Sequence, residues 1–200
     1  MDTTADFWRG EFGNAYTRRN QVDWRSRVPF WQNILARTHP GSILEVGCNA
    51  GWNLRAIRQV NPTPSLLGVD VNQAAIAEAS DAGLPVMEAS ACNLAGLGSF
   101  DLVFTAGLLI HIAPDDLSNV MGGIIAASRQ HVLAIEYADE TEVEVNYRGH
   151  DAKLWRRPFG KLYQERGLRL ISGGAAPSDA FDRCEFWLME KQSCHEGCTL

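Results

Sequence analysis

Hydrophobic and polar residues alternate along this chain with two different periods. Over Asp6–Thr38 the apolar positions recur at helical spacing, as Val28, Trp31 and Leu35 show, and His39-Pro40-Gly41 follows as a typical helix stop. The pattern therefore predicts a helical N-terminal segment.

From Ser42 onward, short apolar runs alternate with helical patterns. Strands that alternate with helices indicate βαβ units around a buried parallel sheet. The predicted strands are Ser42–Val46, Ser65–Val69, Pro85–Glu88, Asp101–Thr105 and His131–Glu136, and the predicted helices are about Asn53–Val60, Gln73–Ala82 and Pro114–Ala127.

Two apolar runs near the C-terminus, Arg169–Ser172 and Glu185–Glu190, predict two more strands. The stretch between them is rich in Gly, Ala, Ser and Asp and is too short for a helical crossover. These two strands are therefore expected to pair antiparallel.

Composition narrows the possible classes of protein. The chain has 200 residues, 46% hydrophobic and 21% charged, which suits one domain with a full core. Its net charge of −6 argues against nucleic acid or an anionic membrane as a partner. No apolar run approaches the roughly 18 residues of a membrane span, and the N-terminus lacks an apolar signal region. The five scattered cysteines favour a reducing, cytoplasmic compartment.

The stretch ILEVGCNAGWNL, residues 43–54, carries the first predicted strand into a glycine-rich loop. Gly47 and Gly51 let the backbone turn sharply and approach a ligand, and Asn49 is the non-glycine residue that best tolerates a positive φ. Asp70 ends the second predicted strand, where a carboxylate can accept hydrogen bonds from both ribose hydroxyls. A nucleotide-like cofactor is expected at this edge of the sheet.

The spacing of the loop separates two classes of cofactor. A dinucleotide site requires G-x-G-x-x-G, and Asn49 and Trp52 stand where the second and third glycines would be. An acid followed by three small or turn-forming residues at alternate positions (Glu45, then Gly47, Asn49 and Gly51) resembles the first motif of class I S-adenosylmethionine-dependent methyltransferases. The alternative is an ordinary glycine turn that binds nothing.

This resemblance implies a definite fold. It is an α/β fold with a doubly wound, Rossmann-like seven-stranded sheet, mostly parallel with an antiparallel C-terminal strand, plus an N-terminal helical lid. The chain is expected to be a single methyltransferase domain over 1–200. Its expected parts are the lid (1–40), a cofactor-binding core (41–137), a substrate-side segment (138–165), a C-terminal strand pair (166–192) and a disordered tail (193–200).

Three longer stretches narrow the resemblance. FWRGEFGNAYTRRN, FDLVFTAGLLIHIAPDDL and EYADETEVEVNYRGHDAKLWRRPFG are similar to the group described as pseudaminic acid biosynthesis-associated methyltransferases. They lie on both sides of the core, so the likeness covers nearly the whole chain, with Gly173–Arg183 unmatched. The group's name reports a link to sugar biosynthesis and leaves the methyl acceptor open.

The resemblance implies that S-adenosylmethionine lies along the carboxyl ends of the strands. Asp70 holds the ribose, and the loop residues Glu45, Gly47, Asn49 and Gly51 surround the methionine end. The other implied contacts are Val71 against the adenine, Ser90 and Ala91 at the adenine edge, and Thr105, Ala106 and Gly107 beside the sulfonium. Many relatives have an acid where Ser90 stands, so a hydroxyl and the Ala91 N–H replace it here.

The N-terminal segment supplies residues that can close over the cofactor. They are Trp8, Tyr16, Arg19 and Asn20, with Arg19 meeting the cofactor's carboxylate. The alternatives are plain helix packing for the two aromatic residues and a solvated face for Arg18 and Arg19.

Two histidines are candidates for the general base that a hydroxyl or ammonium acceptor requires. His111, in LLIHIAPDD, directly follows the fourth predicted strand and so lies beside the expected methyl group. His150, in NYRGH, follows the fifth. His111 is the favoured candidate, and its alternative role is that of a buried core histidine.

A mixture of aromatic and cationic residues follows the fifth predicted strand. Tyr147, Arg148, Trp155 and Arg156, next to Arg157, suit an anionic small molecule, because arginine offers a bidentate fork to carboxylate or phosphate. The alternative is a surface loop with scattered charges.

No metal is expected. Cys194, His195 and Cys198 are too few and too loosely placed for a zinc site, and the acids Asp139, Glu140, Glu142 and Glu144 suit a solvated strand face better than a magnesium cluster.

The sequence therefore predicts an S-adenosylmethionine-dependent methyltransferase. The expected acceptor is a small anionic metabolite, most plausibly a sugar or nucleotide-sugar derivative, with no nucleic-acid or membrane partner. Two alternatives stay open: a carboxylate or phosphonate O-methyltransferase of specialised metabolism, and a non-catalytic S-adenosylmethionine-binding subunit.

Overall fold

The computed structural model of this protein describes residues 3–192. Its α-helices are α1 (Thr3–Arg9), α2 (Glu11–Arg19), α3 (Val28–Thr38), α4 (Trp52–Val60), α5 (Gln73–Asp81), α6 (Pro114–Ala127), α7 (Phe159–Gln164) and α8 (Ser178–Phe181), and two 3₁₀ turns are Trp24–Arg27 and Leu109–His111. Its strands are β1 (Ser42–Val46), β2 (Ser65–Asp70), β3 (Val86–Glu88), β4 (Phe100–Ala106), β5 (Ser128–Glu136), β6 (Val143–Glu144), β7 (Trp155–Arg156), β8 (Leu168–Ala175) and β9 (Glu185–Lys191).

Seven strands form one sheet in the order β3-β2-β1-β4-β5-β9-β8. β1 pairs in parallel with both β2 and β4, whereas β9 pairs antiparallel with both β5 and β8. The predicted fold class is confirmed. Because the chain moves outward in opposite directions from β1 and β4, these two strands form the switch point where doubly wound folds bind ligands.

Both faces of the sheet are covered, so its central strands are apolar on both sides. Leu44 and Val103 pack into a cluster with α6 and α7. Ile43 and Phe104, their neighbours in the chain, pack into a second cluster with α3 and α4. This alternation follows from the two-residue period of a strand.

The helical prediction for Asp6–Thr38 is wrong in one respect, because the segment is interrupted. Gly10 separates α1 from α2, and α2 ends at Asn20. The Asp23 side chain then accepts a hydrogen bond from the Arg25 N–H and starts a new turn. The predicted stop after Thr38 is confirmed, since His39 adopts a left-handed conformation with φ 41°.

Four elements were not predicted. The short strands β6 and β7 form a separate hairpin, α7 precedes β8, and α8 interrupts what the sequence indicated as a plain loop between β8 and β9. The predicted tail, 193–200, lies outside the described residues, and so do Cys194, His195 and Cys198.

The N-terminal helices are tied to the sheet through Asn72, which is buried at the start of α5. Its side-chain oxygen accepts from the Ala75 N–H and caps α5, while its Nδ2 donates to the Trp8 carbonyl (3.0 Å) and to Asn14 Oδ1 (2.8 Å). One side chain thus orders both α5 and the pair α1–α2, called the lid below.

Asn72→Asp should release the lid and keep the α5 cap. A carboxylate still accepts from Ala75, but it cannot donate, and it places a charge beside the Trp8 and Asn14 oxygens. Losing two hydrogen bonds of about 1 kcal/mol each should speed amide hydrogen exchange over residues 3–19 by roughly tenfold or more, with exchange in β1 and β4 unchanged.

Asn61→Asp provides the matched control, because the Asn61 side chain bonds the Thr63 N–H and belongs to a cap distant from the lid in the chain. Unchanged exchange over residues 3–19 in Asn72→Asp would mean that other contacts hold the lid.

Candidate active site

The loop after β1 turns sharply at the edge of the sheet. Gly47, Asn49 and Gly51 all have positive φ (77°, 44° and 76°). The N–H groups of Gly47 and Cys48 donate to the Val69 carbonyl, which ties the loop to the end of β2. The loop is therefore held as a rigid cradle beside Asp70.

Asp70 organises this cradle. One carboxylate oxygen accepts from the Asn49 N–H (2.8 Å) and the other from the Asn72 N–H (2.9 Å). Burial raises the pKa of Asp70, and these backbone donors oppose that effect. The same carboxylate can take further hydrogen bonds from a ligand, because each oxygen has more than one lone-pair site.

The two loop glycines are needed for packing as well as for conformation. A Cβ on Gly47 would lie 2.8 Å from the Leu108 side chain, and one on Gly51 would lie 2.3 Å from Leu84. Side chains at these positions would therefore disturb the fold in addition to any ligand.

A first cavity lies between this cradle, the lid and the ends of β3 and β4. Its lining combines the predicted residues Trp8, Tyr16, Gly47, Asn49, Asp70, Val71, Ser90, Ala91, Ala106, Gly107 and His111 with Gly13, Asn72, Cys92, Leu108 and Asp116, which were not predicted. The structure thus brings most of the implied cofactor residues together.

A second cavity adjoins the first and has a volume of about 610 Å³, within the range of roughly 300–1,000 Å³ of small-molecule sites. The two cavities share Tyr16, Ala106, Gly107 and His111. The other polar residues that line the second cavity are Asn20, Gln21, Asp23, Arg27, Tyr137, Tyr147, Arg148, Ser178, Asp179 and Asp182. Ala106, Gly107 and His111 lie at and just after the end of β4, and Tyr16 of α2 lines the same junction, so the two spaces meet there.

His111 is buried at this junction in a defined tautomer. Its Nδ1 lies 2.6 Å from the Lys153 carbonyl, which can only accept, so Nδ1 carries the proton and Nε2 is left as an acceptor. Burial lowers the pKa of His111 to about 4, against the effect of the Lys153 bond. The imidazole is therefore neutral at pH 7, packed between Trp8 and Tyr147.

Glu136 at the end of β5 positions the segment that carries His111. Its carboxylate accepts from Thr105 Oγ1 (2.8 Å) and from the N–H groups of Leu108, Leu109 and Ile110. Burial raises the pKa of Glu136 to about 7, while these donors lower it. Since every partner is a donor, the arrangement fits the ionised, acceptor-only carboxylate.

Glu45 is buried at the end of β1, below the loop. It accepts from Asn53 Nδ2 (2.7 Å), and Asn53 Oδ1 in turn accepts from Arg27 and Trp31. Burial raises the pKa of Glu45 to about 8, with the Asn53 bond and the Arg27 charge acting against it.

Several predicted site residues line neither cavity. Glu45 and Thr105 are buried in β1 and β4, and Gly51 ends the loop as the N-cap of α4. Arg19 lies over the rings of Phe12 and Tyr16. His150 is exposed and packs against Phe7 and Phe12 of the lid. Trp155 is buried in the small hairpin, and exposed Arg156 pairs with Asp139.

Arg157, which the sequence grouped with the cationic residues, serves packing. Only 1% of its side chain is exposed, and it donates to the carbonyls of Leu109 and Ile112 and to Glu142. It thereby holds the His111 segment from the side opposite Glu136. Within residues 3–192 no group of three or more His, Cys, Asp or Glu side chains is arranged to hold a metal ion.

The sequence analysis missed Asn72, Arg27, Glu136, Tyr137 and Asp182. Asn72, Glu136 and Tyr137 directly follow or end predicted strands at the carboxyl edge, and that position alone was a usable signal. Arg27 and Asp182 offered no local signal, because long-range folding brings them to the cavity.

Residues 43–131, just under half of the chain, match the family model described as a methyltransferase domain. The matched segment contains the glycine loop, Asp70 and His111. The predicted enzyme class, an S-adenosylmethionine-dependent methyltransferase, is confirmed. Among curated protein sequences, none matches this chain.

Solved structures share the fold over nearly the whole chain. The magnesium protoporphyrin IX methyltransferase of Synechocystis, with bound S-adenosylhomocysteine, is 14% identical, with a TM-score of 0.70 over 94% of this chain and 98% of that one. The 1,6-didemethyltoxoflavin N1-methyltransferase of Burkholderia thailandensis, with its acceptor and S-adenosylhomocysteine, is 14% identical, with a TM-score of 0.70 over 95% and 87%. The sugar N-methyltransferase of a Streptoalloteichus species is 14% identical, with a TM-score of 0.67 over 92% and 94%. At these identities the likeness establishes the fold.

No helix among residues 3–192 combines the length and apolar character needed to cross a membrane.

The raised pKa of Glu45 makes stability depend on pH. The folded state keeps a proton up to about pH 8, whereas an unfolded Glu loses it near pH 4.3. The stability that Glu45 contributes by holding this proton is fully present below the pKa of an unfolded Glu. It is lost as pH rises through the pKa of Glu45 in the folded state. Between pH 5 and 8 the free energy of unfolding of the wild type should therefore fall relative to that of Glu45→Gln, whose side chain is neutral at every pH. The expected relative change is on the order of 2–4 kcal/mol.

Urea denaturation at several pH values measures this difference, and Glu11→Gln, at an exposed carboxylate, should track the wild type throughout. A pH-independent difference between Glu45→Gln and the wild type would show that Glu45 is ionised in the fold.

Proposed function

We propose that this enzyme transfers a methyl group from S-adenosylmethionine, bound in the first cavity, to a small anionic metabolite bound in the second. The observation that carries the proposal is that the two cavities meet at His111, Ala106 and Gly107. Methyl transfer is an in-line displacement that mainly needs donor and acceptor aligned and water excluded. Two adjoining spaces at a sheet edge meet that need.

The cofactor assignment is supported by the chemistry of the first cavity. Asp70 can accept from the ribose hydroxyls, Val71 lies where an adenine would pack, and Ser90 and Ala91 border the same space. The free space is about 120 Å³, below the range typical of ligand sites, so entry of the cofactor requires the lid to move outward.

The acceptor class is supported by three facts. Arg27 and Arg148 line the second cavity and offer positive charge to an anionic group. The narrower resemblance to the pseudaminic acid-associated group links the chain to sugar chemistry, and a sugar N-methyltransferase shares its fold. A sugar or nucleotide-sugar derivative is therefore the proposed acceptor.

His111 is proposed to receive the proton of a hydroxyl acceptor. A pKa of about 4 makes it a weak base toward a free hydroxyl. A methylated hydroxyl, however, becomes an oxonium, which is a far stronger acid than an imidazolium. Neutral Nε2 can thus take the proton as the methyl group arrives.

The cofactor proposal is tested by calorimetry with S-adenosylhomocysteine. Asp70→Ala should weaken binding by roughly 30-fold or more, because charge-assisted bonds worth about 2–4 kcal/mol are lost. Asp81→Ala, at an exposed carboxylate at the end of α5, should bind like the wild type. Tight binding of NAD with none of S-adenosylhomocysteine would refute the assignment.

The role of His111 is tested by turnover with a panel of sugars, nucleotide sugars and small acids. His111→Ala should lower kcat by about 10²–10⁴-fold and leave S-adenosylmethionine affinity nearly unchanged. His150→Ala, outside both cavities, is the comparison. If His111→Ala keeps full kcat while Arg148→Ala raises the acceptor KM, the acceptor is an already ionised carboxylate or phosphonate oxygen.

A third reading, the non-catalytic subunit, predicts tight S-adenosylmethionine binding and no turnover across that panel.

A further inference from the structure

The second cavity carries charges of both signs, and they are on different elements. Arg27 belongs to the 3₁₀ turn before α3, and Arg148 belongs to the turn between β6 and β7. Asp182 follows α8, on the connection between β8 and β9.

Arg27 and Arg148 act on the same group, the hydroxyl of Tyr16. Burial raises the pKa of Tyr16 to about 12 and Tyr147 adds to the rise, whereas the positive charges of Arg27 and Arg148 oppose it. Arg27, Arg148 and Tyr16 all line the second cavity, and Tyr16 also lines the first.

Arg27 is held in place before any ligand arrives. Its Nε donates to the Ala180 carbonyl (3.1 Å), its Nη1 donates to Asn53 Oδ1 (3.0 Å), and its guanidinium lies 4.8 Å from the centre of the Phe181 ring. These contacts leave Nη2 without an acceptor among the described residues. A fixed cation with a free donor is suited to an anionic group.

Arg148 is fixed through its backbone. Arg148 and Gly149 both have positive φ (53° and 86°), and Tyr147 and His150 exchange hydrogen bonds across them, which is the geometry of a type I′ hairpin turn. The turn places Arg148 at the rim of the cavity, where its exposed side chain can reach a ligand.

Three carboxylates line the cavity, those of Asp23, Asp179 and Asp182, and Asp182 is held by Tyr137. The Tyr137 hydroxyl donates to Asp182 Oδ2 at 2.5 Å. No cationic side chain within residues 3–192 forms an ion pair with Asp182, and its Oδ1 accepts no hydrogen bond from the described residues. An ammonium group is the natural partner for such a site.

Asp182 occupies this place at a conformational cost. Its φ of 55° and ψ of −127° lie in a region that residues with a Cβ rarely adopt, and such strain costs on the order of 1–3 kcal/mol. Glycine would remove the strain, so the aspartate carries a benefit that stability alone does not explain.

We propose that the acceptor of the proposed methyl transfer is zwitterionic: Arg27 and Arg148 bind its anionic group, and Asp182, held by Tyr137, binds a protonated amine. The inference rests on the proposed function and narrows its acceptor to an amine-bearing acid or phosphate of about the size of a sugar. Asp182 is a specificity-determining residue here, and the amine that it binds is not the atom that is methylated, because a protonated amine has no lone pair to accept the methyl group.

The test uses three probes on the protein saturated with S-adenosylhomocysteine: glucosamine 6-phosphate, glucose 6-phosphate and glucosamine. Each probe after the first lacks one of the two charges. Calorimetry should show glucosamine 6-phosphate binding about tenfold more tightly than either of the others, the ratio expected for one charge-assisted contact.

Two isosteric or near-isosteric variants separate the two contacts. Asp182→Asn should bring the Kd of glucosamine 6-phosphate to that of glucose 6-phosphate and leave the latter unchanged. Arg148→Gln should instead remove the higher affinity of glucosamine 6-phosphate over glucosamine. Arg37→Gln and Asp81→Asn, at exposed residues outside the cavity, should bind the three probes in the same order of affinity as the wild type.

Asp182→Gly distinguishes recognition from a purely structural tie between Asp182 and Tyr137. Under the proposal, the glycine variant loses the preference for the amine while its melting temperature stays level or rises, because the strained φ is relieved. If Asp182 only tethers the segment, both Asp182 variants lower the melting temperature and retain the amine preference.

The outcomes also separate this inference from the proposed function. Failure to bind S-adenosylhomocysteine would refute the proposed function itself. Binding of S-adenosylhomocysteine with no binding of any probe, or with equal affinity for glucosamine 6-phosphate and glucose 6-phosphate, would overturn the zwitterionic acceptor alone.

Discussion

The carboxylate of Asp70 is the contact on which the arrangement of the site depends. It receives the N–H of Asn49 from the loop after β1 and the N–H of Asn72 at the start of α5. Asn72 then holds the lid through Trp8 and Asn14. The glycine loop, the end of β2 and the lid are therefore coupled through two adjacent side chains, and a ligand bound to Asp70 would reach all three.

Acidic side chains are buried at one edge of this sheet, and each is stabilised differently. Glu45 has an amide partner on one oxygen and none on the other, Asp70 has backbone donors on both, and Glu136 has four donors. Burial raises the pKa of all three. An edge that concentrates ionisable groups in this way costs stability, which is typical of a functional site and not of a packing core.

In the proposed function, catalytic geometry and charge recognition are assigned to separate elements around the second cavity. His111 is fixed by the Lys153 carbonyl, and its segment is held by Glu136 and Arg157 from either side. Arg148 and Asp182 lie on connections between strands and carry the charges that a ligand would meet. A rigid junction can thus be kept while acceptor preference changes through the connections.

The sequence alone determined the parts of the protein that follow from local periodicity. The bounds of β1 and α6 agree with the prediction, and the loop of Gly47, Asn49 and Gly51 has the positive φ values that its residue types allow. Both features have local causes. The spacing of apolar residues sets the bounds of the elements, and glycine or asparagine allows a positive φ in the loop. The predicted strands also placed Asp70 and His111 at the same edge of the sheet.

Only the tertiary structure decided which polar residues meet. Arg27 contacts the carbonyl of Ala180, 153 positions away in the chain, and Tyr137 bonds Asp182 across 45. Trp155 and Arg157 carry the side chains expected of a binding segment, yet the hairpin turns both inward, while His150 packs on the lid. Side-chain chemistry can be read from a sequence, but which cavity or core a side chain enters depends on the packing of elements distant in the chain, and no local pattern encodes it.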